Sequence, residues 1–289
     1  GMFVDRCQFL SSEDAMAVSD RKSIAINCNA NDVKLRDNRA TRFRHFALLG
    51  GQNNIVTGNH FFQGDTVNNG VRSAGLIIAA QHTASVISGN YVDNCFIEWT
   101  NEQDAAPEYS SEYSFSALSI TGNIFLSGEV APWFSYIVVK PHGAGHVING
   151  LTINDNRFRS INGFIDRVER IDTSFADMDY SKLRNIEMSG NSFHGISNPV
   201  SNPVQVEHTQ ASLAQTWIID IADRFPFGAW AIAVDSLTMD GPVRDASNVA
   251  QHTTPYVMTD QGVNRNLFHL VWNASVKGSV FLQARIDKR

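Results

Sequence analysis

The chain has 289 residues, 43% of them hydrophobic and 18% charged, with a formal net charge of −6. That length allows a large core and one or two domains. The acidic balance argues against nucleic acid or an anionic membrane as partner, and no apolar run reaches the length of a transmembrane helix.

In chain order, the first strands are expected at Met2, Val4, Cys7 and Phe9, and at Val33, Leu35, Asp37 and Asn38. With Met2 already in strand register, no signal peptide is expected, and Gly1 reads as a scar of tag removal. A sharper motif then recurs: apolar-x-apolar, Ser or Thr, Gly-Asn-x-Phe. Its copies are Val56, Thr57, Gly58, Asn59, Phe61; Ile87, Ser88, Gly89, Asn90, Val92; Leu118, Ile120, Thr121, Gly122, Asn123, Phe125; and Ile186, Met188, Ser189, Gly190, Asn191, Phe193. A fifth keeps Leu151, Ile153, Asn156 and Phe158 but has Asn154-Asp155 in place of Ser/Thr-Gly. The asparagines step by 31, 33, 33 and 35 residues, while Asn38 to Asn59 is 21, a coil without a loop insertion.

A fixed period of this size signals a solenoid. Apolar-x-apolar is a strand with one buried face, and Gly-Asn bends the chain at low steric cost. Stacked coils would lie about 4.8 Å apart, so equivalent asparagines would exchange amide hydrogen bonds. The expected fold is all-β: a right-handed parallel β-helix of about seven coils, followed by a small antiparallel sheet or sandwich.

Ser197-Asn198-Pro199-Val200-Ser201-Asn202-Pro203 has linker chemistry and follows the last motif copy. The expected organisation is a β-helix over 1–198, a linker over 199–203 and an antiparallel domain over 204–289. Alternating runs at Ala229–Val234 and Val280–Ile286 belong to the latter, which could cap the last coil. The first coil has no cap of its own, which predicts a homo-oligomer, a trimer favoured, or a longer parent chain.

Cys7, Cys28 and Cys95 form no CxxC pair and are expected as free thiols. The compartment stays open. His142 and His146 sit four apart in a Gly-rich loop rather than on a helix, so no metal is expected. No cofactor is expected either.

The repeat resembles the pectate-lyase-like superfamily, which includes polygalacturonase-type hydrolases, polysaccharide lyases and phage tailspikes. The resemblance covers the first two-thirds of the chain and implies a polysaccharide partner. The hydrolases' Asp-Asp pair and Gly-His-Gly are missing, and no motif selects Arg72, Arg157 or Arg167 as a lyase arginine.

Two inserts are rich in carboxylates: Glu98 to Glu112, with Glu102, Asp104 and Glu108, and Asp166 to Asp179, with Glu169, Asp172 and Asp177. Between them lies Lys140 to His146. Glu98 and Asp166 close similar short strands two coils apart, within reach of the gap used in glycoside hydrolysis. The candidate catalytic residues are therefore Glu98, Asp166 and Lys140, with Lys140 holding both carboxylates ionised. The candidate substrate-binding residues are Trp99, Trp133, His142, Arg167 and Glu169, the tryptophans as stacking surfaces for sugar rings. The expected function is a hydrolase or lyase acting on an acidic polysaccharide. The alternative is a non-catalytic tailspike-like binding or structural module.

Overall fold

The computed structural model describes residues 1–64, 71–109, 114–128, 130–161 and 163–288. Glu112, which bounds the first insert, lies outside them. The described residues divide into two compact units, Gly1–Asp179 with Asn185–Pro199, and Tyr180–Arg184 with Val200–Arg289.

The first unit is a parallel β-solenoid whose coils carry three short strands. Sheet 1 stacks Phe3–Asp5, Lys34–Arg36, Ile55–Thr57, His82–Ser88, Phe115–Thr121, Ile148–Asn154 and Arg184–Glu187. Sheet 2 stacks Gln8–Leu10, Arg39–Thr41, His60–Phe62, Tyr91–Asp93, Ile124–Ser127, Arg157–Ser160 and Ser192–His194. Sheet 3 stacks Ile24–Cys28, His45–Leu49, Ala74–Ile78, Phe96–Thr100, Ile137–Lys140 and Glu169–Ile171.

The repeated motif forms the corner between sheets 1 and 2. The residue before each asparagine takes positive φ, whether Gly58, Gly89, Gly122, Gly190, Asp37 or Asp155. Glycine or a short acidic side chain tolerates that region best. The turn aims each asparagine inward, where it is buried in every coil but the last. Asn38, Asn59, Asn90, Asn123, Asn156 and Asn191 form one ladder, each amide donating to the next Oδ1 at 2.9–3.1 Å. The backbone N–H of each donates to that same oxygen.

Two residues on, sheet 2 points Ala40, Phe61, Val92, Phe125, Phe158 and Phe193 inward in one register. Phe125 stacks on Phe158 at 4.8 Å and Phe158 on Phe193 at 5.8 Å. Each buried ring contributes about 1.5–3 kcal/mol, so this column is a main source of solenoid stability.

The second unit is an antiparallel sheet of Val204–Asp220, Leu267–Arg285, Ala233–Arg244, Ala250–Gln251 and Tyr256–Gln261. Its core packs Trp217 on Trp272 at 4.7 Å beside Val276 and Val280. The alternating run expected from Ala229 becomes strand only at Ala233. Ala229 and Ala231 are buried in irregular chain, and the Ala231 N–H donates to Arg265 O at 2.8 Å.

Candidate functional site

Sheet 3 alternates like any strand stack. Its inward rows are Ala47, Leu76, Ile97, Ile137, Glu169 and Leu49, Ile78, Trp99, Val139, Ile171. The residues between them face outward: Leu48, Ile77, Glu98, Val138 and Arg170 in one row. One step beyond the second inward row come Thr100 and Lys140, with Asp172 donating its N–H to Val139 O at 2.8 Å. This brings Glu98, Lys140, Arg170 and Asp172 onto one outer face.

Their fields act on one another. Burial pushes the Glu98 carboxyl above its usual 4.5; Glu102 and Asp172 push the same way, while Lys140 and Arg170 oppose them. Asp172 goes the other way. Burial acts to raise it, but hydrogen bonds from the Ser174 hydroxyl (2.6 Å) and N–H (3.2 Å), with Arg170 and Lys140, hold it below 3.8. Lys140 does not serve as the bridge between two ionised carboxylates. Its ammonium pairs with Glu102 at 3.1 Å and lies 4.9 Å from the Phe175 ring centre. Desolvation therefore dominates at Glu98.

The three loop stretches beside this face interlock. Asn101 Nδ2 donates to His142 O at 2.9 Å, and the His142 N–H donates to Asn101 Oδ1 at 2.7 Å. Buried His146 donates from Nε2 to Pro107 O at 2.7 Å and to His142 O at 3.0 Å. His142 stacks on Phe175 at 4.4 Å. These contacts hold Glu102, Lys140 and Phe175 at the rim. Among the described residues no cluster of His, Cys, Asp or Glu could hold a metal ion.

A separate groove of about 330 Å³ lies over the turns that follow the earlier sheet 3 strands, lined by Gly50, Ala79, Gln81, His82 and Asp104. Gln81 Nε2 donates to Asp104 Oδ2 at 2.8 Å, drawing the first insert over the coil edge.

Several expected positions differ. Asp166 does not stand in register with Glu98; Val138 links Glu98 to Arg170 instead. Asp166 is exposed in the turn before the last sheet 3 strand, where it accepts from Asn198 Nδ2 at 2.6 Å. Trp99 is not a surface for sugar. The two-residue alternation turns it inward, 1% exposed, edge-on to Phe115 at 5.2 Å. Glu169 occupies an inward position, fully buried with Arg167 Nη1 3.9 Å from its carboxylate, and so offers no surface to a ligand. Arg167 is tied into that pair. Trp133 is 58% exposed, with the Arg170 guanidinium 5.7 Å from its ring centre. His142 lies half-buried at the rim, its Nε2 without a hydrogen-bond partner among the described residues.

Arg170, Asp172 and Phe175 complete the face, and sequence reasoning did not single them out as site residues. The hiding signal is Glu169: a carboxylate at an inward position breaks the apolar alternation of the strand that carries Arg170. Counting one solenoid step from Lys140 would have reached Asp172.

No family model matches the chain, and no curated protein matches it. Among solved structures it is similar to a mutant tailspike protein of E. coli bacteriophage HK620 in complex with a pentasaccharide. That match has 13% identity, covers 98% of this chain and 60% of the other, and has a TM-score of 0.38. It is also similar to the Pseudomonas phage phi297 tailspike gp61, with 12% identity, 98% and 63% coverage and a TM-score of 0.25. The chain thus spans less than two thirds of either structure.

Proposed function

We propose that the outer face of sheet 3 binds an acidic polysaccharide and hydrolyses its glycosidic bonds, within a solenoid of the pectate-lyase-like kind. The observation that carries this reading is the pair Glu98 and Asp172, whose environments push two carboxyl groups in opposite directions. Such a split marks an acid and a base on one site. Glu98, whose carboxyl burial holds protonated to a higher pH than usual, would donate a proton to the leaving oxygen. Asp172, kept ionised, would act as base for a water. Two strand spacings, about 9.6 Å, and two residues along the strand, about 6.6 Å, place their backbones about 12 Å apart. Side chains leaning toward each other from there would reach the wider carboxylate gap of an inverting mechanism, about 6.5–9.5 Å. Lys140 and Arg170 supply cations for a sugar carboxylate, and exposed Trp133 and Phe175 supply ring surface.

A second reading is a site that binds without cleaving, in the manner of an adhesive module. It is favoured by Asp172 already accepting two hydrogen bonds from Ser174, which would hold that carboxylate away from water.

The test is digestion of polygalacturonate and alginate, reading reducing ends and unsaturated ends separately. Hydrolysis predicts reducing ends alone, with Glu98→Gln and Asp172→Asn each lowering the rate about 10²–10⁴-fold while retaining binding. Unsaturated ends would replace hydrolysis with elimination. Binding without any product would establish the second reading.

A further inference from the structure

The outer face of sheet 2 is a different surface, built from the residues flanking the inward phenylalanine column. One outward row runs Arg39, His60, Tyr91, Ile124, Arg157 in continuous register. The other runs through Phe62, Asp93, Leu126 and Arg159. His60 lies edge-on to Tyr91 at 4.8 Å, and 6.3 Å from Phe62. Ile124 is 40% exposed, and Arg39, Arg157 and Arg159 are exposed.

The charges on this face are unevenly matched. None of the three arginines forms an ion pair among the described residues, although the chain carries a net −6. Asp93 is the carboxylate on these rows; its Oδ2 lies 4.0 Å from His60 Nε2, and that nitrogen is buried without a hydrogen-bond partner among the described residues. Four strand spacings, about 19 Å, separate Arg39 from Arg157, with the aromatic rings between. Cations at both ends of a ring-lined strip suit a linear polymer of ring units bearing anions. A polyphosphate fits less well, because three arginines would offset few of its charges on a net-acidic protein.

We propose that this face is a second binding site, taking an acidic polysaccharide chain along the solenoid axis. Sugar rings rest on His60 and Tyr91, and carboxylate groups meet Arg39 at one end and Arg157 and Arg159 at the other. Asp93 accepts hydroxyl hydrogen bonds at the strip's edge. The site lies on a different sheet from Glu98 and would anchor polymer without cleaving it.

The experiment uses the full chain carrying Glu98→Gln, so that no polymer is consumed. Binding of polygalacturonate, alginate and neutral dextran is measured by calorimetry, alongside light scattering. Expected is uronate binding that weakens about tenfold in Arg157→Gln/Arg159→Gln, weakens in Tyr91→Ala, and is unchanged by Val86→Ser on sheet 1. Lys140→Gln/Arg170→Gln, on sheet 3, should leave a residual uronate affinity that the sheet 2 substitutions remove. Equal affinity in the sheet 2 variants would overturn the proposal, as would dextran binding as tightly as uronate, or single-stranded poly-U displacing the uronate. A change of molecular mass in the sheet 2 variants with uronate binding intact would also overturn it, by making the face a contact between copies.

Discussion

At the scale of single residues, Asn123 shows what a buried amide does in this fold. It is fully buried, yet Nδ2 reaches Asn156 Oδ1 and Ile87 O at 3.0 Å, while Oδ1 accepts two bonds from Asn90. Every polar atom is satisfied, so the amide costs little to bury. Asn123→Ala would strand donors of Asn90 as well as remove its own bonds. A loss of about 3–5 kcal/mol is expected, measured by urea unfolding. Asn123→Asp keeps the acceptors but loses the donors, and should not restore stability at neutral pH. Glu98 gives the opposite case. Its folded-state pKa is raised by burial, so its favourable contribution is complete below the unfolded value and is lost as pH rises through the folded one. At neutral pH the buried charge opposes folding, and Glu98→Gln should raise the melting temperature there while removing activity. A lowered melting temperature at pH 7 would show that Glu98 is held by its cations instead.

At the scale of elements, the corner between sheets 1 and 2 was legible because the turn chemistry and the inward Phe recur together. The ladder of asparagines follows from that spacing alone. The third sheet was less legible. Its strands carry no turn signature, and inserts of differing length shift their starts, so Phe164-Ile165-Asp166 passed for the strand that is Glu169–Ile171. Trp99 illustrates the other limit. Adjacency to Glu98 suggested a shared surface, but neighbours on a strand face opposite sides. The loops over sheet 3 depend on one close approach. Gly143 has φ +77°, and a Cβ there would lie 2.4 Å from Pro107 C. Gly143→Ala should therefore part the first insert from the 141–146 loop, seen as faster hydrogen exchange at Tyr109, whose N–H now bonds Ala144 O at 3.1 Å. Substrate affinity at the sheet 3 face should fall with it. Unchanged exchange would mean the interlock is dispensable.

At the scale of the molecule, parallel stacking turns neighbours one period apart in sequence into neighbours in space, and this builds a site from residues separated by 74 positions (Glu98 to Asp172). Period and composition expose that architecture, but they do not say which outward residues become desolvated. Desolvation comes from the loops, which follow no repeat, and it is what raises the Glu98 carboxyl. Activity requires Asp172 ionised and Glu98 protonated. The rate should therefore rise through a limb below the usual Asp value of 3.8 and fall through a limb above the usual Glu value of 4.5. Lys140 is a cation that lowers Glu98, so removing it should keep the acid protonated to higher pH. The most direct measurement is the pH profile of kcat/KM on polygalacturonate or alginate for the native chain and for Lys140→Gln. The account predicts a bell whose alkaline limb moves to higher pH in the variant. A profile with no alkaline limb, or one that Lys140→Gln leaves in place, would contradict Glu98 as the proton donor.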